Sequence, residues 1–142
     1  MTDLKTIKDD FAFLDEWEDR YRYVIELGKS LPAMPEAEKT EEAKVRGCAS
    51  QVWLATDSEA AGKPDDPVMH YRGDSDAHIV RGLVAIVLAA ASGRRASEVT
   101  ALEAQSLLGE LGLGEHLTAQ RANGLRSMVD RIKQEAGKAR QA

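Results

Sequence analysis

The spacing of apolar positions along the 142-residue chain predicts helices on both sides of a short extended region. From Leu14 to Leu31, apolar side chains recur at steps of three and four residues, which predicts one helix with a single buried face. Pro32 should end this helix, because proline disfavours a helical conformation in the residue before it. Residues 33–44 are rich in Pro, Ala and Glu, so we expect a short irregular or single-turn segment there.

A change of pattern at Val45 predicts a small antiparallel sheet. Residues 51–56 and 68–72 have the composition of strands, and the stretch between them is full of Gly, Pro, Asp and Ser, as turns are. We expect Gly73 to end the second strand. Trp53 is expected in the core, since aromatic side chains on strands usually pack there.

The second half of the chain predicts several helices. Residues 77–91 are apolar nearly all round, which is typical of a centrally buried helix. Shorter helices are expected after Ser97 and over residues 103–111, with Gly112 as a left-handed cap, and Thr118 can cap the last helix. The order of helix, small sheet and helices predicts one α+β domain over residues 1–142.

Composition and charge narrow the class of protein. The net charge is −5 and the pI is near 5.2, which argues against nucleic acid as a partner. The longest apolar run, residues 83–91, is too short to cross a bilayer, and the first residues do not resemble a secretion signal. We therefore expect a cytoplasmic protein that is not bound to a membrane. The acidic excess lies in residues 1–44, and such asymmetry can steer docking to a protein partner.

Cys48 is the one cysteine of the chain, so an internal disulfide and a multi-cysteine metal site are both impossible. Gly47 precedes it and adds no side chain, which leaves the thiol open to close approach. A nucleophilic cysteine needs some exposure and a lowered pKa, whereas most free cysteines are inert, small apolar side chains. The residue alone leaves both interpretations open. The three histidines are scattered and do not have the spacing of a zinc site.

Four blocks of sequence, taken in order, resemble the SufE family of sulfur acceptors. Residues 45–53 read VRGCASQVW and are similar to the cysteine loop of that family. Residues 73–83, GDSDAHIVRGL, and residues 116–125, HLTAQRANGL, resemble its second and third blocks. Residues 23–28, YVIELG, are similar to its N-terminal helix. The resemblance extends from about residue 11 to residue 136.

The resemblance implies both a fold and a role. The fold is a small three-stranded antiparallel sheet backed by helices, shared with IscU-type cluster scaffolds. The role is that of a sulfur carrier that stimulates a partner cysteine desulfurase and has no cofactor of its own, rather than a free-standing enzyme. Cys48 would take sulfur from a persulfide on a PLP-dependent cysteine desulfurase of the SufS or CsdA type. It would then deliver that sulfur for iron–sulfur cluster assembly, with a SufB-type scaffold as recipient.

The resemblance also suggests which residues support Cys48. Gly47, Ser50 and Gln51 belong to the cysteine loop, where the two polar residues are expected to form hydrogen bonds that hold it. Asp76 and Arg121, from the second and third blocks, are expected to pair near the loop, where a guanidinium would favour a thiolate or persulfide anion. A simple helix N-cap is the alternative for Asp76, and a surface position is the alternative for Arg121.

Two other functions compete with the sulfur carrier. An iron–sulfur scaffold of the same fold normally offers several cysteine ligands. A redox-active or peroxidatic enzyme built on Cys48 would need an external thiol, because no resolving cysteine exists. The sequence leaves open whether Cys48 is exposed or tucked inward at rest; we favour the inward position, since a persulfide needs protection. The identity of the desulfurase, the final sulfur recipient and the oligomeric state stay open.

Overall fold

The computed structural model describes residues 2–141 and has the mixed α+β class that the sequence predicts. Three antiparallel strands are backed by helices, so the predicted fold class is confirmed. The described elements are, in chain order, α1 (Leu4–Phe13), α2 (Trp17–Lys29), β1 (Val52–Glu59), β2 (Val68–Ser75), α3 (His78–Ala91), β3 (Arg94–Arg95), α4 (Ala96–Thr100), α5 (Ala104–Glu110) and α6 (Ala119–Gln141).

The predicted helix over residues 14–31 is wrong at its start, because two helices occupy the first third of the chain. α1 ends at Phe13, and Leu14 is extended, with φ −101° and ψ 103°. The Arg20 side chain donates from Nε to the carbonyl oxygen of Leu14 at 2.6 Å and from Nη2 to that of Phe11 at 3.2 Å. These bonds satisfy carbonyls that a helix end leaves free. They stabilise the break between α1 and α2.

The sheet has the order β1-β2-β3, with the long β1–β2 hairpin paired from Val52 with Ser75 to Glu59 with Val68. The two residues of β3 pair with the start of β2. The expectation that Gly73 ends β2 is wrong, since Gly73 pairs with Leu54 and the strand continues to Ser75. Glycine is required there for close packing: a Cβ on Gly73 would lie 2.7 Å from Cγ1 of Val84.

Helix α3 is the centre of the core, as its apolar sequence predicts. It packs against α2, β2 and α6, and eleven of its fourteen residues are buried. The contact with α2 is a backbone contact. A Cβ on Gly82 would lie 2.1 Å from the carbonyl oxygen of Val24, and one on Gly28 would lie 2.7 Å from the Gly82 nitrogen. Both glycines are therefore needed for α2 and α3 to approach this closely.

Two predicted caps near the C-terminal helices are confirmed. Gly112 has a φ of +64°, and the N–H of Leu113 donates to the carbonyl oxygen of Leu108 at 2.9 Å, as in a left-handed helix end. The hydroxyl of Thr118 accepts a hydrogen bond from the N–H of Arg121 at 3.2 Å and caps α6. The segment before Val45 holds one 3₁₀ turn, Glu36–Glu38, also as expected.

Trp53 is not a core residue, so that prediction is wrong. Successive side chains of a strand point to opposite faces, and the buried positions next to it are Val52 and Leu54. Trp53 therefore lies on the other face of β1, half-buried. The ammonium of Lys39 lies 5.1 Å from the centre of its ring, within the range of a cation–π contact.

Candidate functional site

The cysteine loop connects β1 to a short preceding segment that pairs with it through one bridge, between Lys44 and Trp53. The N–H of Val45 donates to the carbonyl oxygen of Val52 at 2.8 Å, and the N–H of Leu54 donates to that of Ala43 at 2.9 Å. Residues 43–45 thus form a short arm beside β1, and residues 46–51 close the loop between them. Gly47 has a φ of +90°, a left-handed conformation that side chains rarely adopt. This turn directs the next residue, Cys48, toward α6.

The thiol of Cys48 is half-buried and faces α6, which is the inward orientation that we expect from the sequence. Its Sγ lies 3.6 Å from the carbonyl oxygen of Gly124, within reach of a weak S–H hydrogen bond. Gly124 is buried, and a Cβ on it would come within 3.5 Å of the sulfur. The small residue in α6 therefore gives the cysteine room to approach the helix.

A cavity of about 230 Å³ opens beside the thiol. Its apolar side is formed by Val80 and Leu83 of α3 and Met128 of α6. Polar side chains at its edge come from both ends of the site: Ser50, Thr118, Gln120 and Arg121. One water-sized sphere needs only about 10–15 Å³, so a further atom bonded to Sγ fits in this space.

Burial raises the pKa of the Cys48 thiol above its ordinary value. This direction is opposite to the lowered pKa that an activated, nucleophilic cysteine needs. Desolvation disfavours the charged thiolate, and no cation among the described residues opposes it. Arg121 borders the same cavity, yet within residues 2–141 its guanidinium forms no ion pair with Asp76. The expected pairing of these two residues is thus not present.

The raised pKa predicts a measurable pH dependence. Only the thiolate reacts with iodoacetamide, and burial moves its formation to higher pH by raising the pKa of the thiol. The alkylation rate of the folded protein should therefore rise at higher pH than that of the denatured chain. Between the two midpoints the denatured chain has lost its proton and the folded protein retains it. Alkylation followed by intact mass at a series of pH values measures both curves. A folded midpoint below the denatured one would contradict the burial of the thiol.

Asp76 holds the far end of the cysteine loop. Its Oδ1 accepts a hydrogen bond from the N–H of Gln51 at 3.1 Å, and its own N–H donates to the carbonyl oxygen of Gln51 at 3.3 Å. The Ser75 hydroxyl donates to the same carbonyl at 2.7 Å. The N-cap alternative for Asp76 is wrong, because α3 begins at His78 with Ala77 as its N-cap and no side-chain cap. Gln51 is held through its backbone, and Ser50 lies at the edge of the cavity.

Asp74, in the second sequence block, is a buried carboxylate. Its Oδ1 accepts from the N–H of Ser75 at 2.8 Å, and its Oδ2 accepts from that of Met34 at 3.2 Å. Arg81 Nε lies 2.8 Å from Oδ1, close enough for an ion pair although the N–H is not aligned for a hydrogen bond. Strand alternation gives no signal for this burial, since Asp74 shares its face of β2 with the exposed His70 and Arg72. Asp74 thereby ties β2 to the segment after α2 and to α3.

Two other features, a metal-binding cluster and a membrane-spanning helix, are absent from the part of the chain that the structure describes. Residues 2–141 hold no group of three or more His, Cys, Asp or Glu side chains arranged to bind a metal ion. The same residues include no helix long and apolar enough to cross a membrane.

The fold and the site define a small α+β protein with one loop thiol beside a sheltered cavity. Residues 5–136 match the family model SufE, described as an Fe-S metabolism associated domain. The chain belongs to the SufE family, as its four sequence blocks predict.

Similar proteins agree with this assignment. A SufE-like protein of Rhizobium meliloti (strain 1021), described as uncharacterized, is 67% identical over 136 residues, which are 96% of each chain. The sulfur acceptor protein CsdE of Escherichia coli (strain K12) is 41% identical over 128 residues, covering 90% of this chain and 84% of CsdE. The solution structure of a hypothetical protein from Thermus thermophilus has the same fold, with a TM-score of 0.77 at 20% identity. That match covers 98% of this chain and 96% of the other.

Proposed function

We propose that this protein accepts sulfane sulfur at Cys48 from a PLP-dependent cysteine desulfurase of the SufS or CsdA type. Family membership and the 41% identity to a sulfur acceptor protein support a role in sulfur transfer. The observation that carries the proposal is the single thiol at the wall of a 230 Å³ cavity. The sulfur would pass to a SufB-type scaffold for iron–sulfur cluster assembly, in the cytoplasm.

The transfer is a thiol exchange without net oxidation. The Cys48 thiolate attacks the outer sulfur of the donor's cysteine persulfide, a new S–S bond forms at Cys48, and the donor's S–S bond breaks. The donor cysteine leaves as a thiolate, and the proton of Cys48 is taken up by solvent or by the leaving thiolate. PLP stays on the desulfurase. This chain contributes the nucleophile and the cavity that receives the second sulfur.

The resting site keeps Cys48 from reacting with other electrophiles and offers a protected space for a bound sulfur. With its pKa raised by burial, the Cys48 thiol is mostly protonated near neutral pH and is a poor nucleophile until its surroundings change. Docking of a desulfurase that brings positive charge to the loop, or draws Cys48 away from α6, would favour the thiolate. The apolar wall of Val80, Leu83 and Met128 then limits the access of reductants to the persulfide.

The direct test is the mass of the protein after incubation with a purified desulfurase, PLP and cysteine. We expect a gain of one sulfur atom that disappears on treatment with dithiothreitol. No gain with any cognate desulfurase would reject sulfur acceptance. A stable gain of oxygen atoms instead, after peroxide and without a desulfurase, would favour the redox-active cysteine enzyme.

Among the described residues, Arg121 is the one Lys or Arg that lines the cavity beside Cys48, so Arg121→Gln should slow sulfur acceptance. A charge-assisted hydrogen bond to the anion contributes on the order of 1 kcal/mol, which corresponds to roughly fivefold in rate. The melting temperature should stay unchanged, because no ion pair of Arg121 is present within residues 2–141. Single-turnover transfer from persulfidated desulfurase measures the rate.

The matched control for this variant is Arg126→Gln. Arg126 is exposed on α6 and donates to Asn123 and Gln105, away from the cavity. Its loss should leave the transfer rate unchanged. A cooperative unfolding transition lost in Arg121→Gln would instead identify Arg121 as structural.

A further inference from the structure

The arm that leads into the cysteine loop is held from two sides. On one side, Ala43 and Val45 form backbone hydrogen bonds with β1. Residues 41–43 form a turn that leads into the single bridge between Lys44 and Trp53, and the carbonyls of Glu42 and Lys44 take no backbone hydrogen bond from β1. Both are occupied by one side chain: Arg131 of α6 donates from Nη2 to Glu42 at 2.5 Å and from Nη1 to Lys44 at 3.2 Å.

One face of α6 runs alongside the arm and the cysteine loop. Gly124, Ser127, Arg131 and Glu135 follow one another at steps of three or four residues and share that face. Gly124 meets the sulfur of Cys48, and Ser127 lies against Gly47, where an added Cβ would be 2.5 Å from its hydroxyl oxygen. Arg131 is therefore the part of this face that bonds the arm directly, one helical turn beyond the loop.

The guanidinium is itself fixed in place. Its Nε donates to Oε1 of Glu135 at 3.1 Å, and the two side chains are only 25% and 28% exposed. Each of the three guanidinium nitrogens thus donates a hydrogen bond. Lysine has a single ammonium nitrogen and cannot reproduce this planar arrangement of donors. A cavity of about 280 Å³ adjoins Arg131, Val45 and Arg46. The arm consequently has space to move once the two bonds are lost.

We propose that Arg131 is a positioning residue that holds the cysteine arm against α6 and so sets the resting, inward position of Cys48. The contacts of Arg131 belong to the resting protein and do not depend on sulfur transfer. Only the biological purpose of the positioning rests on the proposed function. Through the arm, Arg131 controls how readily the thiol leaves the Gly124 carbonyl and meets another reactant.

The test is alkylation of Cys48, which reports on this residue alone because the chain has one cysteine. In Arg131→Met the apolar stem remains and both arm bonds are lost, so iodoacetamide should react about tenfold faster, as expected for two charge-assisted bonds. The pH midpoint of the reaction should also fall toward that of an ordinary thiol. A purely structural role would lower the melting temperature without moving this midpoint. Arg131→Lys, which can reach one carbonyl but not both, should be intermediate and keeps the test usable if Arg131→Met unfolds.

Lys138→Met, an exposed cation on the same helix, is the matched control and should react as the parent protein does. Parental rates and midpoints in both Arg131 variants would overturn the proposal, whatever their melting temperatures. The outcome is independent of sulfur acceptance. If the parent protein gains no sulfur from a desulfurase while Arg131→Met still shows faster alkylation, the proposed function fails and the positioning role stands.

Discussion

Replacing Cys48 by serine should abolish stimulation of the partner desulfurase and all gain of sulfur. Serine preserves the size of the side chain, and Cys48 has only a weak hydrogen bond to Gly124, so the fold should be unaffected. What is lost is the one atom that can attack a persulfide, because an alkoxide does not form at neutral pH. Sulfide released from cysteine by a SufS-type enzyme, with and without each variant, gives the measurement. The desulfurase should return to its unstimulated rate with Cys48→Ser.

A control for the position of the thiol is available in the same chain. Ser58 lies exposed on β1, far along the hairpin from the cysteine loop. The double variant Cys48→Ser, Ser58→Cys carries one cysteine of equal chemistry but no adjoining cavity. It should not restore stimulation. Equal stimulation by this variant would mean that any accessible thiol accepts the sulfur, and the role assigned to the cavity would be wrong.

Replacing Gly82 by alanine should have the largest effect on stability. The added methyl group would be built 2.1 Å from the carbonyl oxygen of Val24, and a backbone atom cannot move aside by changing a rotamer. α2 and α3 must then separate along the most buried helix of the protein. We expect a loss of about 3 kcal/mol or more in the free energy of unfolding. For a chain of this size this lowers the melting temperature by roughly 10 °C.

Gly137→Ala tests the same substitution where space is free. Gly137 lies within α6, and apart from the adjacent residues and the backbone of the helix itself no atom lies within 4 Å of a Cβ built on it. Alanine is the better helix former, so this variant should gain about 0.5–1 kcal/mol. Urea titrations of the two variants and the parent give the comparison. A Gly82→Ala protein as stable as the parent would mean that the close contact between α2 and α3 is not required.

The spacing of apolar residues predicts an element correctly when all of its faces have the same environment, for example when all are buried. α3 is apolar on nearly every face and is buried on nearly every face, so its position in the core follows from composition alone. The caps at Gly112 and Thr118 depend on neighbours three to five residues away, and local sequence predicts those also. The break between α1 and α2 depends on the Arg20 side chain reaching back to Phe11 and Leu14. An apolar period carries no signal for such a bond.

The candidate site divides in the same way. The cysteine loop and its glycine are visible as a sequence block, whereas the direction of each polar side chain is not. Asp76 lies close to an apolar helix and so resembles a cap, yet it bonds Gln51, which is 25 residues away. The carboxylate of Asp74 lies close to Arg81, while no ion pair joins Asp76 to Arg121 within the described residues. Arg131 was missed altogether, because its acceptors are backbone carbonyls 87 and 89 residues away, and backbone acceptors leave no mark in a sequence.

The separation along the chain between Cys48 and helix α6 means that the thiol is synthesised well before the helix that shelters it. Cys48 and Gly124 are 76 residues apart, and ribosomes add about 5–20 residues per second. The thiol therefore leaves the ribosome several seconds before the helix that shelters it has been made. During that interval Cys48 has the ionisation and exposure of a cysteine in an unfolded chain. Under the proposed function, the sheltered thiol exists only once the C-terminal helix has docked, so a truncated or stalled product would carry the cysteine without the cavity that protects a bound sulfur.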